Sequence, residues 1–306
     1  RKVKNMLNSD GAKLVLPISV RGLSLLLLSG PCLAVLFIGL VNFSGAGLAP
    51  VLAAESKIKL QMQKPQFDSL AAHSKTVKPV PTFLRGGLKI TDEELESMLS
   101  VEPANDWFKI PSWLAGKWKY YEGEVLSFQD LRTGSKFSEF FVSHEDTTRD
   151  WGYQRDGAGA YWQFQDSPSS VQTRKDEKII LYTRNKNEPL SLTEDELVCR
   201  MFYTYSTLEP VTLKVLKTYQ SENIVVFRKA GDDEIRRDMS SKIFDEDGVP
   251  LSLSTSYSLA RRMTPFNPIN SVRGLNTKAL FRKFLTAHGM KDLLPAPGQD
   301  EDFEIW

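Results

Sequence analysis

The sequence predicts a mainly β protein: an antiparallel up-and-down barrel of about eight to ten strands, with a short helix before it and a helix after it. Three observations carry that expectation. Between residues 116 and 262, short apolar/polar runs recur about every dozen positions, separated by turn residues. The stretch 110–123, IPSWLAGKWKYYEG, opens the series with Gly116-Lys117-Trp118 after a proline-bounded turn. The two segments with helical periodicity, 92–100 and 277–288, lie outside it.

Residues 1–21 hold Arg1, Lys2, Lys4, Lys13 and Arg21 against Asp10, and residues 22–53 hold no charge. A basic leader followed by an apolar run reads as an export signal over 1–53, with Val51-Leu52-Ala53 before the cleavage point. The alternative is an uncleaved anchor over residues 23–41, long enough to span a bilayer and to bring the chain to a membrane surface. Export places the domain in a periplasm, a thylakoid lumen or outside the cell. Cleavage leaves Cys199 as the one thiol, so no internal disulfide supports the fold. Its apolar strand context makes it a buried, inert cysteine.

Residues 54–107 read as a linker or extended arm, with Pro65, Pro79, Pro81 and Gly86-Gly87 breaking any periodicity. Within it, Thr91 and Glu94 form a capping box, and Leu95, Met98 and Leu99 form one stripe of a helix over 92–100. The barrel domain is expected over 108–262. Asp156-Gly157-Ala158-Gly159, Ser221-Glu222-Asn223 and Asp245-Glu246-Asp247-Gly248 are its clearest turn signals. In the last strand Leu251, Leu253, Thr255, Tyr257 and Leu259 alternate with Ser252, Ser254, Ser256 and Ser258, which predicts one buried and one polar face. The strand before it, with RRDMSSK, is polar on both faces and predicts wide solvent contact. Residues 263–306 hold a helix over 277–288, capped by Asn276 or Thr277 and stopped by Gly289, then an extended tail. Arg261, Arg262, Arg273, Lys278, Arg282, Lys283 and Lys291 make this region basic; its helix or tail offers contact to a protein or an anionic surface, although a narrow apolar side favours simple docking on the domain.

The formal net charge of +1 excludes a global pull toward nucleic acid. No Gly-x-Ser-x-Gly elbow is present, and His73, His144 and His288 fall in the arm, at a strand end and at a helix end, so no nucleophile–base pair is legible. Asp232-Asp233 and the DEDG run do not extend into a calcium loop, and no glycine loop opens a helix to hold phosphate. The sequence therefore assigns no catalytic residue, no metal ligand and no cofactor. Paired carboxylates keep a hydrolase or isomerase as the third reading. The strand aromatics point instead to a ligand cavity with Trp118, Tyr120, Trp162, Tyr203 and Tyr257 as wall residues; ordinary core filling is the competing account.

Gly116-x-Trp118 at the first strand, a long antiparallel series and a following helix resemble the calycin group, the lipocalins and their exported lipocalin-like relatives. The resemblance covers about 116–288. It implies that Gly116 and Trp118 close one end of a barrel and that Arg261 or Arg262, after the last strand, packs across the indole. The Thr-Asp motif and the disulfide common in that family have no counterpart here. The expected function is binding of a small apolar or pigment-like molecule. The alternative is a non-catalytic structural or assembly factor that docks on a protein complex or membrane surface.

Overall fold

A computed structural model describes residues 72–296, except 138–140, 144–145 and 176. Residues 1–53, where an export signal is expected, and the end of the tail lie outside the described residues. The domain is mainly β and antiparallel, as its alternating runs predict. Its strands are β1 (Trp107–Ile110), β2 (Gly116–Asp130), β3 (Lys136–Phe137), β4 (Phe141–Ser143), β5 (Thr147–Trp151), β6 (Gln154–Arg155), β7 (Tyr161–Phe164), β8 (Ser169–Lys175), β9 (Lys178–Leu192), β10 (Glu196–Leu208), β11 (Val215–Gly231), β12 (Glu234–Phe244), β13 (Pro250–Thr264), β14 (Ser271–Val272) and β15 (Leu275–Asn276). The helices are α1 (Asp92–Leu99) and α2 (Thr277–Ala287).

Ten strands form one sheet with the order β3-β2-β13-β12-β11-β10-β9-β8, and β4 and β5 also pair with β2. First and last long strands are neighbours, yet the sheet is not a closed barrel. After β2 the chain breaks into three short strands that all return to β2, so among the described residues none crosses to β8. Thr133-Gly134-Ser135 turns the chain straight back onto β2, with Gly134 N–H donating to Asp130 O at 2.8 Å. The next strands, β6 and β7, leave the sheet altogether and join β1, which precedes β2, in a separate three-stranded sheet of order β1-β7-β6. The large sheet coils instead. Trp151 on β5 packs on Phe227 of β11, with ring centroids 4.7 Å apart, although β2, β13 and β12 lie between them in the strand order. Its inner face is therefore concave.

Three local expectations are corrected. Ser221-Glu222-Asn223 is not a turn but lies inside β11, where Ser221 bonds Asn223 at 2.7 Å and Glu222 finds partners in the arm; satisfied polar side chains let the strand continue. The RRDMSSK strand is not solvated: Arg237, Asp238, Met239, Ser240 and Ser241 are all buried. The alternation on β13 is inverted, because Ser252, Ser256 and Ser258 are buried on the concave face while Leu251, Leu253 and Leu259 are half-buried on the convex one.

The ends of the chain pack as amphipathic segments should. The arm crosses the convex face, where Val80, Leu84 and Ile90 join Ile179, Leu181, Leu208 and Val215, with α1 laid against them through Leu95, Met98 and Leu99. The capping box of α1 is present, with Glu94 N–H donating to Thr91 Oγ1 at 3.1 Å and Thr91 N–H to Glu94 Oε2 at 2.8 Å. Gly248 sits where this arm passes the DEDG turn at φ 81°, and a Cβ there would lie 2.0 Å from Val77 O. Asn276 caps α2 through Ala279 N–H at 2.9 Å. Phe281, Phe284 and Leu285 then bury against Trp107, Trp162 and Phe164, so α2 docks on the small sheet. No helix among the described residues is long and apolar enough to cross a membrane.

Candidate functional site

The closed end of the concave face is built around Gly116 and Trp118. Trp118 is fully buried, and its Nε1–H donates to Leu114 O at 2.8 Å. Arg262 lies opposite Trp118 in the β2–β13 register and stacks on the indole, with Cζ 4.4 Å from the centroid. Its guanidinium donates to Ala115 O at 2.6 Å, to Trp113 O at 2.7 Å and to Asp233 Oδ1 at 3.2 Å. Arg261 faces the other way, over Tyr121 at 5.0 Å. Gly116 adopts φ 136°, and a Cβ would fall 2.7 Å from Thr264 O and 2.8 Å from Arg262 Nη1. Only glycine admits the arginine. A cleft of about 30 Å³ lined by Gly116, Trp151, Gly152 and Thr264 has room for a water molecule and for little else.

The five candidate wall residues do not converge. Trp118, Tyr120 and Tyr203 share the concave face through the strand registers, but at 0%, 2% and 0% exposure they offer a ligand almost no surface. Arg237 covers the Tyr120 ring at 4.4 Å, and Tyr203 donates to Met201 Sδ at 3.0 Å. Tyr257 is on the convex face, under Arg236 at 4.7 Å and donating to Glu124 at 2.8 Å. Trp162 belongs to the small sheet, where its Nε1–H donates to Asp156 Oδ2 at 2.9 Å.

Accessibility returns toward the other end of the concave face. Phe128, Ser254, Ile243, Tyr182 and Tyr219 are half-buried there, and Phe137, opposite Phe128, is 51% exposed. Phe128 and Phe137 make one aromatic margin, with centroids 6.0 Å apart. The other margin is a tyrosine row: Tyr182, Tyr205 and Tyr219 are paired across β9, β10 and β11, and Tyr205 stacks on Tyr219 at 4.8 Å and 12°. Burial pushes the Tyr219 phenol above its ordinary pKa, which keeps it a neutral hydroxyl.

The convex face is charged and ordered. Arg228 bridges Glu196 at 2.6 Å and Asp238 at 2.8 Å, and Arg236 holds the other oxygen of Asp238 at 2.8 Å. Beside this ladder the arm delivers His73 between two strands. His73 Nδ1 is 3.1 Å from Glu222 Oε2, and Nε2 is 2.8 Å from Ser240 Oγ. Glu222 is fully buried and also accepts from Ser74 N–H at 2.7 Å and Ser74 Oγ–H at 3.0 Å, with Arg200 Nε at 3.3 Å. Burial raises its carboxyl pKa, but the contacts from His73 and Ser74 outweigh that and hold it below the usual range, so it is ionised. No spacing motif announces this trio. His73 lies in the proline-bearing arm, Glu222 in a stretch that reads as a turn, and Ser240 in a strand that reads as solvated.

Among the described residues no group of three or more His, Cys, Asp or Glu side chains could hold a metal ion. Cys199 is buried on the concave face. No family model, no curated protein and no solved structure matches the chain.

Proposed function

We propose that this chain is an exported, lipocalin-like binding protein whose small apolar or pigment-like ligand sits in the open half of the concave face. The observation that carries this is the gradient along that face: sealed at Trp118 and Tyr120, half-open at Phe128, Tyr182 and Tyr219. A bowl with aromatic rims and a filled base suits a flat ligand held between the Phe128–Phe137 margin and the tyrosine row. The walls are thus displaced by several residue pairs from Trp118 and Tyr120, whose part is to close the base. The stacked Arg262 and Trp118 support likeness to the lipocalin-like group in geometry.

Native mass spectrometry of the chain purified from its own host tests the reading. An additional small-molecule mass is expected, retained by Trp118→Phe and reduced at least tenfold in occupancy by Tyr219→Ala combined with Phe137→Ala. A protein that carries no added mass and takes up no hydrophobic fluorescent probe would sink the proposal and favour the docking factor.

A further inference from the structure

We propose a second site, on the convex face: Ser240 is a nucleophile toward small carboxylic esters, His73 is its general base, and Glu222 positions the base. The site is independent of the ligand seat, since Ser240 pairs with Ile224 and Thr255 on the opposite face from the serines of β13 that line the bowl.

The three groups meet in the order that nucleophilic catalysis needs, 2.8 Å from serine to imidazole and 3.1 Å from imidazole to carboxylate. Ionised Glu222 accepts from Nδ1–H, which leaves the Nε2 lone pair for the Ser240 hydroxyl proton. Glu222 cannot swing away, because Ser74 and Arg200 hold it as well. Docking of the arm does not need the serine–histidine bond. Arg200 donates to Ala72 O at 3.2 Å, Lys242 to Ser74 O at 2.7 Å and Gln220 to Lys78 O at 2.9 Å, and Ser74 is bonded to Glu222 twice. The approach is from β13 and β2, where half-exposed Thr255 bonds exposed Ser127 at 2.7 Å. Lys242, two residues along the strand from Ser240 and on the same face, has its ammonium bonded to the carbonyl of Ser74, the residue after His73. Ser240 is only 4% exposed, so the reaction is slow and confined to small acyl groups.

In the acylation step the Ser240 oxygen bonds to the ester carbonyl carbon while its proton passes to His73 Nε2. The carbonyl electron pair moves onto oxygen and returns as the alkoxide leaves, taking the proton from His73. Water then attacks the acyl-serine by the same route, releasing the carboxylic acid and restoring the hydroxyl.

The test treats the full chain with a small fluorophosphonate probe and, separately, p-nitrophenyl acetate, then maps the modified peptide by mass spectrometry. Labelling is expected at Ser240, lost in Ser240→Ala, reduced about 10²-fold or more in His73→Ala, and unchanged in Ser241→Ala. Glu222→Gln should lower the rate and displace its pH profile, and Glu222→Asp should restore part of it, which a merely structural role would not. Should a serine or glutamate variant lose its fold, Ser240→Cys gives a second readout. Its thiol should be alkylated by iodoacetamide at least tenfold faster with His73 present than in the His73→Ala background. An unlabelled wild-type chain, label on another serine, or hydrolysis unaffected by Ser240→Ala would each overturn the assignment.

Discussion

The two faces of the large sheet solve burial in opposite ways. The concave face is lined by small serines and large aromatics: Ser252, Ser256 and Ser258 are buried on it, as are Trp118, Tyr120 and Phe227. On β13 the convex face carries leucines that stay half-buried, and beside them half-buried Arg228, Arg236 and Glu196 form a ladder around the buried Asp238 carboxylate. Curvature explains the inversion. Side chains converge on the inside of a coil, so a strand that faces Trp118, Tyr120 and Phe227 has room only for small residues. On the outside they diverge, and the arm covers part of that surface with both an apolar cluster on Ile179, Leu181, Leu208 and Val215 and polar partners at Glu222 and Lys242. Hydrophobic alternation locates the two faces of a strand; the curvature of the sheet decides which one is packed.

The sharpest way to break this comparison is at the plug, where the concave face is closed. Gly116→Ala adds a Cβ within 2.8 Å of both Thr264 O and Arg262 Nη1 at a backbone angle that disfavours alanine. A loss of about 3 kcal/mol is expected by thermal or urea unfolding. Arg262→Ala should cost about 2–4 kcal/mol, because it uncovers the indole of Trp118 and strips the carbonyls of Ala115 and Trp113 of their donor. A variant as stable as wild type at either position would mean that the base of the bowl is not closed by this stack.

The serine strand sharpens it at intermediate scale. Ser258 is fully buried, and its hydroxyl has no hydrogen-bond partner, so size rather than polarity selects it. Ser258→Ala should be neutral or slightly stabilising, whereas Ser258→Val should cost about 1–3 kcal/mol through overpacking. Leu253→Ser, the opposite change on the convex side, should cost less than about 1 kcal/mol. Melting curves that ranked Leu253→Ser above Ser258→Val would reverse the assignment of the faces.

Much of this architecture is legible along the chain, and what is not has a physical cause. Helix caps and hairpin turns are local, so Thr91 with Glu94, Asn276, and Asp245 at the DEDG turn are found where composition puts them. Polar runs mislead because what covers them lies on other segments. Asp238 reads as solvated although Arg228 of the neighbouring strand joins Arg236 in holding it, and Ser221-Glu222-Asn223 reads as a turn until His73 and Ser74 arrive from the arm. Closure fails for the same reason: pairing of β8 with a far strand is a long-range outcome that strand periodicity does not contain. Of the candidate wall residues, the sequence identifies aromatics in strands but cannot say which end of the concave face keeps open surface, since that depends on what Trp151 and Phe227 fill.

The smallest expected effect is a change in slope, and it isolates the convex face. Glu222 has a carboxyl pKa held below its unfolded value, so it stabilises the fold fully above the unfolded carboxylate pKa and loses that contribution as pH falls through the folded one. In Glu222→Gln this contribution is gone at every pH. The variant should therefore be less stable than wild type near neutrality, and the two stabilities should converge as the wild-type carboxylate takes up its proton. Acid-unfolding curves of the two chains, followed between about pH 7 and pH 2, read the convergence directly. Parallel curves would mean that Glu222 is not ionised under the arm, which would remove both the anchor of His73 and the reason its imidazole presents Nε2 to Ser240.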